Sequence, residues 1–250
     1  MVRDATQDVG VIHVVVPFYN SPWIGKCIAS LRSQTGPEFR VVAIDDASTD
    51  GSYDRMRDAV VTDPRFTLVR NEQRDGALAN LCRAIDASGA EAEDVIVTVD
   101  GDDWLPHSLV LDIIAATYSN PRVLLTYGQA VTRLDGHVEP TEGYPDETVH
   151  AKSYRWDKWR ATHLRTFRHG LWNKLGPSDL INPKTGQHWE MAWDCAMMFP
   201  MLELCEPGQA VFINEILYVY NDVNPIGDNK VDYTKQRRME LAIRAMPVRT

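Results

Sequence analysis

No stretch of this 250-residue sequence approaches the ~18 uninterrupted apolar residues of a membrane span, and the start, Met1 to Asp8, lacks the apolar segment of a signal peptide. A cytoplasmic location is therefore the expected default. Cysteine is scarce: Cys27, Cys82, Cys195 and Cys205 are widely separated, so neither a disulfide framework nor a thiolate zinc motif is indicated. An excess of basic residues is also missing. The formal net charge of -9 argues against general nucleic-acid binding. There is no internal repeat and no low-complexity segment. What is present, 44% hydrophobic and 24% charged residues, is the profile of a globular protein with a sizeable core.

From Val11 to Val99, short β-branched runs alternate with amphipathic segments. Val11 to Val16, Phe39 to Ile44, Phe66 to Val69 and Val95 to Val99 are expected strands. The first and last are almost wholly apolar, as suits parallel strands covered on both faces. Ile24, Cys27, Ile28 and Leu31 recur at helical spacing, and helices are expected from Asp50 to Val60, Asp75 to Ala87 and Leu109 to Tyr118. Strands separated by helices imply right-handed crossovers and an α/β, Rossmann-like, mostly parallel sheet. After about residue 120 the rhythm changes. Val123 to Tyr127 and Ala210 to Ile213 are expected strands, Trp193 to Leu204 a helix, and Leu217 to Asn221 a strand running into a loop. Residues 1–120 and 121–250 are accordingly expected to be two halves of one compact domain.

In a sheet of this kind ligands bind beyond the carboxyl ends of the strands. Four polar segments are expected there: Pro17 to Asn20, Asp45 to Ser48, Arg70 to Arg74, and Asp100-Gly101-Asp102-Asp103. The last carries the most information, because three carboxylates within four residues repel one another unless a hard cation such as Mg2+ or Mn2+ shares their charge. The usual partner of such an ion is a diphosphate. A solvated turn capping the following helix is the competing account.

The same segments, in the same order, resemble motifs of the family 2 glycosyltransferases of GT-A fold. Val14-Val15-Val16-Pro17-Phe18-Tyr19-Asn20 is similar to their opening strand and turn, Ile44-Asp45-Asp46-Ala47-Ser48-Thr49-Asp50-Gly51 to their Asp-Asp-x-Ser-x-Asp-Gly signature, and Val99 to Pro106 to their Asp-x-Asp (DXD) region. Trp193-Asp194 resembles their late acidic site. The third loop departs from the pattern: Leu81-Cys82 stands where many members have Ala-Arg-Asn, and an Asn comes earlier, at Asn80, after Gly76.

The resemblance implies metal-dependent transfer of a sugar, with inversion, from a nucleotide-diphosphate donor to an acceptor hydroxyl, with UDP the first nucleotide to consider. It implies that Pro17, Tyr19, Asn20, Asp46, Gly76, Asn80, Asp100 and Asp102 bind the donor, that Asp102 with Asp103 holds Mn2+ or Mg2+, and that Asp194 is the base. A sugar nucleotidyltransferase would use a similar sheet but needs a Gly-rich basic loop after the first strand, which Pro17 to Pro22 does not supply. A nucleotide-sugar-binding module without turnover is the non-enzymatic alternative.

Residues 151–174 contain seven cations, Lys152, Arg155, Lys158, Arg160, Arg165, Arg168 and Lys174, against one acid, Asp157, with Tyr154, Trp156, Trp159, Phe167 and Trp172 interleaved. One account is amphipathic, with cations in water and aromatics in the core. The other makes His163, Arg165, Arg168 or Lys174 a contact for the donor diphosphate or an anionic acceptor. Trp193 is then a surface for a sugar ring, and Lys230 part of a closing loop. The acceptor is expected to be a glycan, or less directly a nucleic-acid base carrying a hydroxyl.

Overall fold

A computed structural model of the chain describes residues 10–138, 141–226 and 228–249. The expectations for Met1 to Asp8 lie outside these residues, as do residues 139–140 and 227. In chain order the elements are β1 (Ile12–Phe18), α1 (Ile24–Arg32), β2 (Phe39–Asp45), α2 (Ser52–Val60), β3 (Phe66–Arg70), α3 (Ala77–Ser88), β4 (Val95–Thr98), α4 (Val110–Tyr118) and β5 (Leu125–Thr132). There follow α5 (Asp146–Ala151), β6 (Arg165–Arg168), α6 (His169–Trp172), α7 (Pro177–Leu180), α8 (Trp193–Leu204), β7 (Ala210–Tyr220), α9 (Asp228–Val231) and α10 (Tyr233–Arg244).

The strands form one seven-stranded sheet in the order β3-β2-β1-β4-β6-β5-β7. β2 and β4 flank β1 and run parallel to it, β3 is parallel to β2, and β7 is parallel to β5. β6 runs against both of its neighbours. This is the GT-A type of α/β architecture. Every residue of β1 is buried, as a central strand covered on both sides requires. On one face, Val14, Val16, Val95 and Val97 pack with Ile24, Cys27, Ile28 and Leu31 of α1, Met56 of α2 and Ile114 of α4. On the other, Val15, Val42, Ile44 and Ile96 pack with Leu78, Leu81 and Ile85 of α3 and Met197, Phe199 and Met201 of α8. The α1 set recurs at i, i+3, i+4 and i+7, so a single apolar stripe seats that helix. α8 is instead buried almost all round, which makes it a core helix.

Two strands differ from the sequence reading, and the short helices α5, α6, α7 and α9 were not expected. The two short strands expected over 210–213 and 217–221 are one 11-residue strand, β7, whose pairing with β5 shifts register between Tyr127 and Ala130. The irregularity absorbs the polar Asn214-Glu215 pair, which broke the apolar pattern in the sequence. β6 was hidden inside the basic run, because its two arginines are buried by contacts distant in sequence. No helix among the described residues is long and apolar enough to cross a membrane.

Candidate active site

The loops after β1 to β4 are stitched to one another. Ser21 Oγ donates to the Gly101 carbonyl at 2.9 Å, and Ser52 Oγ donates to the Ser21 carbonyl at 2.9 Å. Asn20 accepts from the Thr49 amide at 2.8 Å, while its own amide donates to Ser48 Oγ at 2.9 Å. A Cβ on Gly101 would lie 2.3 Å from Cβ of Phe18, so only glycine lets the acidic turn approach β1 this closely. Asn20, Ala47 and Ala192 all have positive φ without being glycine, and all three lie in these loops or at the start of α8. The fourth such residue among those described, Lys152, caps α5 away from these loops, so three of the four strained positions fall at this end of the sheet.

Asp45 and Asp46 divide their duties. Asp45 accepts from the Ser48 amide and pairs with Arg70 at 3.2 Å, so it is Asp45 that closes the turn after β2. Asp46 reaches across to the third loop, where its carboxylate accepts from the Asp75 amide at 2.8 Å, the Gly76 amide at 3.0 Å and the Asn71 side chain at 3.0 Å. Burial opposes its charge, but hydrogen bonds from Asp75, Asn80, Asn71 and Gly76 outweigh burial and hold its pKa below the usual value. Gly76, at φ 89°, supplies the conformation this grip needs. Asn80 secures the loop by accepting from Asn71 at 2.7 Å and donating to the Gly76 carbonyl at 3.0 Å. Arg74 lies 3.8 Å over the Tyr19 ring, beside Asp46.

At the end of β4, the Asp103 amide donates to the Asp100 carbonyl at 2.9 Å, a turn that places Asp100 and Asp103 on the same side. Asp100, Asp103 and His163 each offer a ligand atom, and these atoms all lie within 4.8 Å of one another. Asp103 is buried: one carboxylate oxygen accepts from the Asn221 amide at 2.7 Å and the other has no partner among the described residues. Burial, with Asp102 and Asp100 nearby, pushes its pKa well above the usual value. His163 stacks on Tyr218, with ring centres 4.4 Å apart, and its Nε2 is 3.7 Å from Asp100. Burial, helped by the charge of Arg165, lowers its pKa and keeps the imidazole neutral, the form that binds metals.

Of the expected metal pair, Asp103 belongs to this cluster and Asp102 does not. Asp102 accepts from the Asn224 side chain at 2.5 Å, and burial together with Asp100 pushes its pKa up to about 6. A buried carboxylate with an open oxygen, a second carboxylate and a neutral imidazole fit a hard divalent cation.

The expected base, Asp194, sits in the first turn of α8 and pairs at 3.0 Å with Arg165, whose side chain is only 4% exposed while that of Asp194 is 23% exposed. Its neighbour Trp193 is buried and lies under the Arg165 guanidinium, 6.0 Å from its ring centre. His163 connects this pair to the acidic turn, lying two residues before Arg165 and facing Asp100. Lys230 is exposed and donates to the Asp222 carbonyl, in the segment that leads to Asn224.

Other members of the basic run are elsewhere. Because β6 is antiparallel, Arg168 lies opposite Val95, at the start of β4. There it is buried and donates to the carbonyls of Val123, Glu93 and Tyr118, so it is a structural residue and not a phosphate contact. Lys174 is exposed beyond α6, which is held at the same far end through the Ala92 and Asp94 carbonyls. The amphipathic account also fails for the arginines: Arg155, Arg160, Arg165 and Arg168 are all buried, Arg155 on Glu203 and Arg160 on Glu142 and Asp157. Sequence reasoning passed over Tyr218, Asn221 and Asn224 as site residues. The polar ending of β7, Tyr220-Asn221-Asp222-Val223-Asn224, was the signal that pointed to them.

The chain is similar to known proteins in sequence and in fold. The chain is 31% identical to the putative glycosyltransferase EpsH of Bacillus subtilis over 96 residues, 38% of this chain and 26% of that protein. It is 25% identical to the uncharacterized glycosyltransferase EpsJ of the same organism over 171 residues, 62% of this chain and 48% of that protein. The chain thus spans from about a quarter to about half of the length of these relatives. Its fold is similar to that of S. aureus TarS residues 1–349, solved with UDP, at a TM-score of 0.64 and 18% identity, covering 93% of this chain and 64% of that one. A mannosyltransferase of Pyrobaculum calidifontis, solved with GDP-Man and Mn2+, aligns at a TM-score of 0.59 and 22% identity over 89% of this chain and 59% of that one. The model of glycosyl transferase family 2 matches residues 13–199, and the chain belongs to that family.

Proposed function

We propose that this glycosyltransferase moves a sugar from a nucleoside diphosphate donor, with UDP the first to test, to an acceptor hydroxyl by a metal-dependent, inverting displacement. The observation that carries the reading is the joining of two sets of groups at one end of the sheet: the Asp100, Asp103 and His163 cluster, and Asp194 on its buried arginine. Residues 1–120 serve as the donor half and residues 121–250 as the half that supplies acceptor contacts and base. The base ring of the donor lies near Tyr19 and Asp46, with Pro17 and Asn20 shaping the turn, and Gly76 and Asn80 keeping Asp46 in place. Asp100, Asp103 and His163 hold Mn2+ or Mg2+, with Asp102 beside them. Such an ion offsets the charge that develops on the leaving diphosphate. Lys230 approaches from the segment after β7.

The acceptor hydroxyl attacks the anomeric carbon from the side opposite the diphosphate. The new C–O bond forms as the bond to the diphosphate oxygen breaks, the electron pair leaves with the nucleoside diphosphate, and the hydroxyl proton passes to Asp194. The anomeric configuration is inverted. A glycan acceptor and a cytoplasmic location are part of the same reading; Trp193, being buried, supports Arg165 and is not a surface for a sugar ring. The test is nucleoside diphosphate release from UDP-GlcNAc, UDP-glucose and GDP-mannose, each with Mn2+ and with EDTA. Slow release that EDTA abolishes is expected for at least one donor; equal release with and without EDTA would remove the metal from the mechanism. Asp194→Asn should keep donor affinity and lower turnover by about 100-fold or more.

A further inference from the structure

Arg165 is a large cation placed where solvation cannot stabilise it. Its side chain is 4% exposed, and a buried guanidinium is costly unless it is paired. It has two partners among the described residues: Nε donates to the Ala161 carbonyl at 3.0 Å and Nη2 donates to Asp194 at 3.0 Å. Its backbone is fixed as well, since Arg165 faces Thr98 across the β4–β6 ladder and the Thr98 hydroxyl donates to its carbonyl at 3.2 Å. The guanidinium is therefore held at its base by the sheet, at its middle by Ala161, and ends on one carboxylate oxygen.

Asp194 is less constrained by its own helix. Among the described residues its other oxygen accepts only from the adjacent Cys195 amide at 2.9 Å, and the helix starts from Ala192 in the left-handed region, at φ 52°. The contact that fixes where this partly exposed carboxylate points is thus the one from the sheet. His163, two residues before Arg165, faces Asp100 at 3.7 Å. One short run of chain thereby sets the distance between the acidic turn and the carboxylate on α8.

We propose that Arg165 is a positioning residue that aims Asp194 at the acceptor hydroxyl and fixes its distance from the donor, without itself contacting the donor. This rests on the assignment of Asp194 as base. A charge-paired hydrogen bond from a rigid strand is suited to this, because misplacing a reacting group by about 1 Å costs on the order of 100-fold in rate.

The experiment is a double-mutant cycle on donor hydrolysis, with water as acceptor, using whichever of UDP-GlcNAc, UDP-glucose or GDP-mannose the wild-type protein turns over with Mn2+. Arg165→Met should lower kcat by about 10- to 100-fold with donor KM changed less than about twofold. Arg165→Lys should recover part of the loss, and Arg165→Met on the Asp194→Asn background should cost nothing further. Thermal unfolding of each variant separates loss of fold from loss of function. Wild-type turnover in Arg165→Met, additive losses in the double variant, or a rise in donor KM with kcat unchanged would each overturn the inference while Asp194→Asn remains impaired. Undiminished turnover in Asp194→Asn would instead bring down the base assignment itself.

Discussion

The two ends of the central sheet are built on opposite terms. At the amino ends of the parallel strands, Asp94 and Arg168 are buried with their bonding capacity nearly filled, although Nδ1 of the buried His13 has no partner among the described residues. Asp94 accepts from the Val11 amide at 2.8 Å, the Glu91 amide at 2.8 Å and His13 at 3.2 Å, and Arg168 donates to three carbonyls. At the carboxyl ends, Asp103 keeps an open oxygen in a buried position, carboxylates crowd within one turn, and residues with side chains take positive φ. The first end is optimised for stability. The second leaves an acid unpaired and holds side chains in strained backbone, at a cost in stability.

The largest expected effect tests the first half of that contrast. Arg168→Met leaves the carbonyls of Val123, Glu93 and Tyr118 without their donor and should destabilise the fold by about 3 kcal/mol or more in urea unfolding. The molecules that stay folded should bind UDP as before; weakened binding would return Arg168 to the site. Next comes Gly101→Ala, whose Cβ would collide with Phe18 in a close-packed setting and should cost about 1–3 kcal/mol, together with donor affinity measured by calorimetry. Asp103→Asn should act in the opposite direction. Removing a buried charge with an open oxygen should raise stability by about 0.5–2 kcal/mol while abolishing Mn2+-dependent donor binding, and a destabilised variant would show that Asp103 is a structural acid like Asp94.

The smallest effect is one of pH. Asp102 is pushed from 3.8 up to about 6, and Asp103 is raised as well, so the folded state holds more protons than the unfolded state over that range. This contribution favours the fold at acid pH and is lost as pH rises from 3.8 through about 6. A cation at the cluster should offset it. Mn2+ should raise Tm at pH 7.5 by about 2–4 °C for each kcal/mol of binding and have little effect at pH 5, where protons compete for the ligands. A pH-independent response to Mn2+ would place the ion elsewhere.

Much of the carboxyl end was legible in the sequence because its groups lie where strands stop. Val11 to Val16 and Val95 to Val99 read as buried strands from composition alone, so the polar residues after them had one place to go. The division of labour between Asp45 and Asp46 was not legible, since it depends on the third loop folding back so that Asp75 and Gly76 present their amides. Nor was the membership of the Asp100, Asp103 and His163 cluster. Asp100 and Asp103 are brought together by a turn, and His163 joins them from the bend just before a strand that pattern reading could not see, because Arg165 and Arg168 look like surface residues until their distant partners are known. Arg168 was misjudged for the same reason.

β6 is only four residues long, yet it works as a ruler laid across the molecule. Its reversed direction delivers one arginine to the chemical pole and the other to the structural pole, at a separation fixed by strand rise. Inserting or deleting one residue there would turn its side chains to the wrong faces and move both anchors at once.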